Sequence, residues 1–367
     1  MNNTFCQAVS RIGPFIKAKR NLLPLHIGSG GWSFRPVTIY LSVNSSCNLR
    51  CGMCDVGLRE KDSQFYKHLK TGDELSLPRI KGLVDEVAHF RPAIAAISTE
   101  PLLYDGIIEL ASHVKARGLD FHLTTNGFLL PDFADEIARA GVDTLWVSLD
   151  GDEETHDRIR GVRGSFGRAV EGIERVAAAA PGIKILVNCT ISHYNYPRLV
   201  QFVEAIPRTL IKNLVFSHLN YVTDKMAEAH NRLYLEVGRA TPMSVSGANP
   251  KDIKPEVLFG QIEEIKRRLP GFALFAPDLK TAVEMDDFYN RPGKILAKNY
   301  CPIPWTVSQV IANGDVIPLT RCFDVVLGNI YRQSFAEIWR GEKMQRFRRA
   351  LKKQGLFPVC TRCCGSF

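Results

Sequence analysis

Between residues 37 and 217 the chain repeats one pattern six times: a short aliphatic, β-branched run, then a longer stretch with its apolar residues on one helical face. The runs are Val37–Val43, Ala93–Ser98, Asp120–Thr124, Asp143–Leu149, Ile183–Thr190 and Lys212–Ser217. Runs this short and this apolar suit strands buried on both faces, as in a parallel sheet. One helix should begin at Ser76-Leu77-Pro78, with Ile80, Leu83, Val84 and Val87 on one face. Others should cover Asp105–Gly118, with a capping residue in front and glycine behind, Pro131–Ala140 stopped by Gly141, Phe166–Ala180 and Tyr196–Ile206. Serial βα units imply a parallel sheet with helices outside it. Six units fall short of the eight of a closed barrel, so an α/β fold with a partial (β/α)6 TIM-like barrel over residues 37–221 is expected. Its chemistry should collect on the loops after the strands.

The remaining segments read differently. Residues 1–36 form an N-terminal extension whose amphipathic piece, Ile12–Leu23, suits a helix packed on the body. Residues 222–298 are a less regular bridge and substrate region, with a helix over Pro255–Leu269 and turn-rich stretches. From 299 to 367 a small C-terminal hairpin–helix domain is expected. It has a hairpin turning at Asn313-Gly314, a helix over Phe335–Leu351 and a cysteine-rich tail. No apolar window reaches the roughly 18 residues of a membrane span, and no secretory signal is visible, so a cytoplasmic protein is expected.

The 47 basic and 38 acidic residues give a net charge of +9, which suits an acidic substrate, a nucleic acid or an acidic redox partner without choosing among them. The densest basic run, Lys343–Lys353, reads as an amphipathic helix with a solvated face. No companion motif makes it a nucleic-acid site.

Ten cysteines in 367 residues are too few for a disulfide scaffold, and their positions are clustered. Cys47, Cys51 and Cys54 lie within eight residues, directly after the first strand. Cys301, Cys322, Cys360, Cys363 and Cys364 fall in the last 67 residues. Two such groups read as metal sites. Three thiolates on one loop suit a cubane iron–sulfur cluster with one iron left open. A zinc site completed by a histidine is the other reading, and the nearest following histidine, His68, sits in a charged stretch. For the C-terminal group, spacing alone leaves a fully ligated cluster and structural zinc both open.

The triplet, with three and then two intervening residues and Met53 before the last cysteine, resembles the signature of the radical S-adenosylmethionine (radical SAM) superfamily. The resemblance extends to Ser98-Thr99-Glu100-Pro101, where many members have Gly-Gly-Glu-Pro, to Thr125-Asn126-Gly127, and to Ser148-Leu149-Asp150 followed by Arg160-Gly161. It implies a [4Fe–4S] cluster on Cys47, Cys51 and Cys54, with SAM bound at the open iron. Met53, Glu100, Asn126, Ser148, Asp150, Arg160 and Asn188 are the SAM-contacting candidates. Cys-Pro at 301, Trp305, Asn313-Gly314-Asp315, Cys322, Leu327-Gly328-Asn329-Ile330, Ile338-Trp339 and the terminal CxxC look like the SPASM/twitch extension, which binds auxiliary [4Fe–4S] clusters. Two fully ligated auxiliary clusters need about eight cysteines and five are present, so one cluster is expected, on Cys301, Cys322, Cys360 and Cys363. Cys364 can substitute for Cys363. Cys364 and Cys189 are candidate hydrogen-atom donors, with a buried structural thiol the plainer reading of Cys189 and of Cys6.

By that resemblance the protein cleaves SAM reductively to a 5′-deoxyadenosyl radical and abstracts hydrogen from a substrate. The segment before the first strand has no leader-binding winged-helix pattern, which favours a small-molecule substrate over a ribosomal peptide. His218, Asn220 and Tyr221, past the sixth strand, are the substrate candidates. A flavodoxin or ferredoxin is the expected reductant. The reading from another class is a non-catalytic metal-binding module that holds nucleic acid on its basic surface.

Overall fold

The computed structural model describes residues 20–27, 30–296 and 300–363. The amphipathic piece at Ile12–Leu23 is described only from residue 20, within a helix over 20–27, and Cys6 and Cys364 lie outside the described residues. The six expected strands are present: β1 (Thr38–Leu41), β2 (Ala93–Ala96), β3 (Phe121–Thr125), β4 (Thr144–Ser148), β5 (Lys184–Ile191) and β6 (Asn213–His218). They pair in parallel in that order, with helices between them.

Four more strands extend this sheet at both edges, which corrects the six-unit count. β7 (Ala273–Ala276) lies in the bridge region and pairs in parallel with β6. It follows the helix Pro255–Arg268 after a Gly271 turn, so it completes one further unit. Its four residues, with Leu274 exposed, give too short and too weak a run to read as a strand. β8 (Val307–Val310) pairs in parallel with the outer edge of β1, while β9 (Asp315–Ile317) and β10 (Gly328–Asn329) add antiparallel strands beyond it. The hairpin expected at Asn313-Gly314 is therefore present, but its first strand belongs to the barrel sheet. Eight strands are parallel, yet β9 occupies the free edge of β8. β7 and β8 therefore do not meet, and the barrel stays open.

The strands sort their side chains by parity. On β5 the buried Ile185, Val187, Cys189 and Ile191 face the helical layer, whereas Asn188 and Thr190 on the other face line the barrel cavity. This places Cys189 on the wrong side of the sheet for hydrogen transfer to anything in that cavity.

Two helix expectations need correction. The helix Ile107–Ala116 starts at Gly106 with no side-chain cap, so no capping residue precedes it. The helix expected over Phe335–Leu351 is two, Phe335–Arg340 and Glu342–Gln354, because Gly341 is extended and breaks the turn. The second helix does not present a uniformly solvated basic face. Arg348 is buried, donates to the carbonyls of Pro304, Gly31 and Trp339, and stacks 4.3 Å over the Trp339 ring. Burial with no carboxylate partner pulls its pKa down to about 9.

Candidate active site

The loop after β1 is held by backbone bonds to two neighbouring elements. Arg50 N–H donates to the Arg160 carbonyl at 3.0 Å and Gly52 N–H to the Ile159 carbonyl at 2.8 Å, at the end of the helix Glu153–Arg160. Gly161, at φ 69°, lets the two segments approach this closely, since a Cβ there would lie 2.8 Å from the Arg50 carbonyl oxygen. Asp55, directly after Cys54, accepts from the Ser63 hydroxyl and, at 2.9 Å, from Ser244 N–H of the bridge segment. The bridge also presses Gly247 onto Gly52, and Tyr194 Oη donates to the Gly247 carbonyl at 2.6 Å.

This scaffold turns Cys47, Cys51 and Cys54 into one cavity of about 370 Å³ at the carboxyl ends of the barrel strands. Met53, Asn126, Ser148, Arg160, Asn188, His218 and Asn220 line the same cavity. Burial pushes the Cys47 and Cys51 thiols up to about 11 and raises Cys54 as well, so without metal all three keep their protons. Arg160 bridges sulfur and carboxylate: Nη1 lies 3.7 Å from Cys51 Sγ and Nη2 is 2.6 Å from Asp150. Burial works against its charge, but Asp150 and Cys51 together raise its pKa and keep it protonated.

Four candidates stand outside the cavity wall. Asp150 is completely buried behind Arg160, accepts from Thr190 N–H at 2.8 Å, and reaches the cavity only through the guanidinium. Glu100 is also completely buried. It accepts from the Thr125 hydroxyl, Asn126 N–H and Leu102 N–H, and so joins the loops after β2 and β3. Burial raises its pKa to about 7 against the pull of those donors. Tyr221 is buried with its hydroxyl on the Phe288 carbonyl, which makes it a structural contact. Cys189 accepts weakly from Asn195 on the helix side, 3.7 Å away.

The motif positions where relatives carry two glycines keep the glycine-like backbone here. Ser98 and Thr99 have φ of 66° and 41°, which non-glycine residues rarely adopt. Thr99 Oγ1 donates to Asn44, which helps hold the turn. Both residues line the cavity.

A second cavity of about 210 Å³ is lined by Cys301, Cys322, Cys360 and Cys363 together with apolar side chains such as Phe323, Leu351 and Phe357. Burial pushes Cys322 up to about 12 and raises Cys360 well above the ordinary thiol range.

Sequence reasoning missed Asp55, Ser217, Ser244 and Arg321. Ser217 shares its parity on β6 with Val215, and its hydroxyl donates to Asn188 at 2.7 Å. Its place at a strand's carboxyl end was a usable signal. Ser244 and Arg321 reach the site through tertiary packing and carry no local signature.

Residues 41–204 match the model of the radical SAM superfamily, and the chain belongs to it. Residues 301–364 match the SPASM model, an iron–sulfur cluster-binding domain, so the chain is of the SPASM-bearing kind. It is 29% identical over 219 residues to the Fe-coproporphyrin III synthase of Methanosarcina barkeri, covering 59% of this chain and 52% of that protein. It is 23% identical over 334 residues to the pre-heme d1 synthase of Dinoroseobacter shibae, covering 84% of this chain and 74% of that one. Among solved structures, SuiB of Streptococcus suis superimposes with a TM-score of 0.61 at 14% identity, covering 96% of this chain and 77% of that one. The last likeness speaks to the fold alone, and the chain spans about half the length of the first relative. The cofactors of the two domains are a [4Fe–4S] cluster with SAM and auxiliary iron–sulfur. No helix among the described residues is long and apolar enough to cross a membrane.

Proposed function

We propose that this protein is a radical SAM enzyme acting on a small molecule, with Cys47, Cys51 and Cys54 holding the SAM-binding cluster and Cys301, Cys322, Cys360 and Cys363 an auxiliary one. The observation that carries the reading is the convergence of three loop thiols with the amides and hydroxyls of Asn126, Ser148 and Asn188 on one cavity wall. Soft thiolates are the donors an iron–sulfur cluster takes, and the volume is in the range of small-molecule sites, roughly 300–1,000 Å³. When bound, the cluster and SAM supply a one-electron cleavage that yields a 5′-deoxyadenosyl radical.

The chain's own residues do the rest. The three cysteines would hold a [4Fe–4S] cluster with one iron left without a protein ligand. Arg160, anchored by Asp150, sets a fixed positive charge beside Cys51, which would suit the carboxylate of bound SAM. Ser148 and Asn188 offer hydrogen bonds on the barrel side, and Glu100 holds the Asn126 loop in place from behind. Met53 supplies an apolar surface. The net charge of +9 suits docking of an acidic flavodoxin or ferredoxin as reductant.

The small-molecule reading is supported by the curated relatives, whose names refer to haem-type cofactors, one of them over 84% of this chain. A peptide substrate is the competing outcome. Anaerobic reconstitution with iron and sulfide, then dithionite and SAM, should give 5′-deoxyadenosine. Colourless protein with zinc and no 5′-deoxyadenosine defeats the reading. Turnover of a peptide, with no product from the metabolite pool of the source cell, defeats its small-molecule part.

A further inference from the structure

Two cavities meet at a shared wall. Arg321 and Asn220 line both the first cavity, with the three loop thiols, and the second, with the four C-terminal ones. Arg321 directly precedes Cys322. Its loop is clamped by Thr241 N–H on the Cys322 carbonyl at 3.3 Å, by Asp324 N–H on the Arg239 carbonyl at 3.0 Å and by the Ala240–Phe323 bridge. The guanidinium lies 5.0 Å over the Phe65 ring, which orients it.

Charge distinguishes this residue from its neighbours. Among the described residues, no aspartate or glutamate lines either cavity, and the cations that do are Arg160 and Arg321. Arg160 is paired with Asp150. Arg321 has no ion-pair partner among the described residues. On the wall of the first cavity, His218 is buried with Nδ1 on the Tyr289 hydroxyl at 2.6 Å, while its Nε2 has no hydrogen-bond partner among the described residues. A buried polar atom left over at a cavity wall marks a contact that a ligand completes. The guanidinium of Arg321, solvent-exposed on the wall of the same cavity and without an ion-pair partner among the described residues, suits an anion, which it can grip with two parallel N–H donors.

We propose that Arg321 and Asn220, with His218 on the wall of the first cavity, anchor an anionic group of the substrate, a carboxylate or a phosphate, where the two cavities share a wall. The substrate is thereby held with one end fixed and its body toward the first cavity. This deepens the small-molecule reading and rests on it.

The test is differential labelling of arginine in the reconstituted full chain. Phenylglyoxal modification of Arg321 is followed by peptide mass spectrometry, with exposed Arg332 as internal reference, in about 10 mM citrate, about 10 mM inorganic phosphate, or sodium chloride of matched ionic strength. One anion should slow labelling of Arg321 by about fivefold or more and leave Arg332 within about twofold. Protection by citrate assigns a carboxylate, and protection by phosphate a phosphate. Equal labelling of Arg321 in all three solutions overturns the proposal. So does protection that comes with cluster assembly or SAM alone and gains nothing from either anion, since Arg321 would then balance a cofactor's charge. The enzyme reading is scored separately on the same preparation. 5′-Deoxyadenosine without protection removes the anchor alone, and protection without 5′-deoxyadenosine removes the enzyme reading.

Discussion

The two cysteine groups are each gathered on one cavity, by opposite routes. The first comes from one loop of eight residues, set by local backbone bonds to a single helix end and opening on a wall of hydroxyls and amides. The second comes from segments spread over Cys301 to Cys363, and the β8–β9 hairpin, the packing of the helix Glu342–Gln354 and contacts from the bridge region bring them to one apolar cavity. A contiguous loop can place three ligands and leave a vertex open to a cosubstrate. A site assembled from distant segments can close all four positions, and its formation is tied to tertiary folding.

The sharpest way to break this contrast is to remove one thiol from each group. Cys51→Ala should abolish 5′-deoxyadenosine formation and lose about four irons per chain, while the C-terminal irons remain. Cys322→Ala should also lose about four irons but keep some SAM cleavage. Iron analysis and chromatographic assay of 5′-deoxyadenosine read both. Equal loss of iron and cleavage in the two variants would mean a single shared site.

A second effect belongs to the first group alone. Arg160→Ala leaves Asp150 buried without its counter-charge, and breaking such a pair costs about 3–5 kcal/mol. Thermal unfolding of the metal-free variant should shift down by several degrees, and Asp150→Asn/Arg160→Met should recover most of the loss. If the single variant unfolds like the wild type, the pair does not stabilise this end of the barrel.

That contrast also decides what could be read from the chain alone. The six-fold alternation and the loop triplet depend on neighbours in sequence, so β1 to β6 and the candidate cluster loop were legible. So was the parity of Asn188. The sheet's extension was not, because β8 is defined by its partner β1, some 270 residues away in sequence, and β7 is four residues long. Glu100 and Asp150 were picked out for the site but lie behind it, since a motif fixes which residue occurs after a strand and leaves open whether the side chain faces the ligand or the scaffold. Arg321 and Ser244 come from segments that only folding brings near the thiols.

Glu100 provides a smaller test. Its carboxyl is raised from 4.5 to about 7, so the protonated form is favoured in the folded state. The stability this contributes is fully present below about pH 4.5 and lost as pH rises through about 7. In Glu100→Gln that part of the pH dependence should vanish from denaturant titrations run between those values. The amide NH2 would also replace one accepting oxygen and face either the Asn126 N–H or the Leu102 N–H, at a cost of about 1–3 kcal/mol. An unchanged pH profile would locate the titration elsewhere.

The smallest effect lies where the two regions touch. Ser98 holds a left-handed φ of 66° at the wall of the first cavity, and its hydroxyl accepts, at a long 3.4 Å, from Gln309 on β8. The conformation costs a non-glycine residue about 1–2 kcal/mol. Glycine removes that cost but loses about 0.5–1 kcal/mol through its freer unfolded chain. Ser98→Gly should therefore raise stability by up to about 1.5 kcal/mol, read as a higher urea midpoint with unchanged slope. The long bond to Gln309 contributes little, because Gln309 also donates to Ser42 at 2.7 Å. A lower midpoint would reverse that ranking and make the serine hydroxyl a link between the thiol loop's barrel and the strand that leads into the C-terminal cysteines.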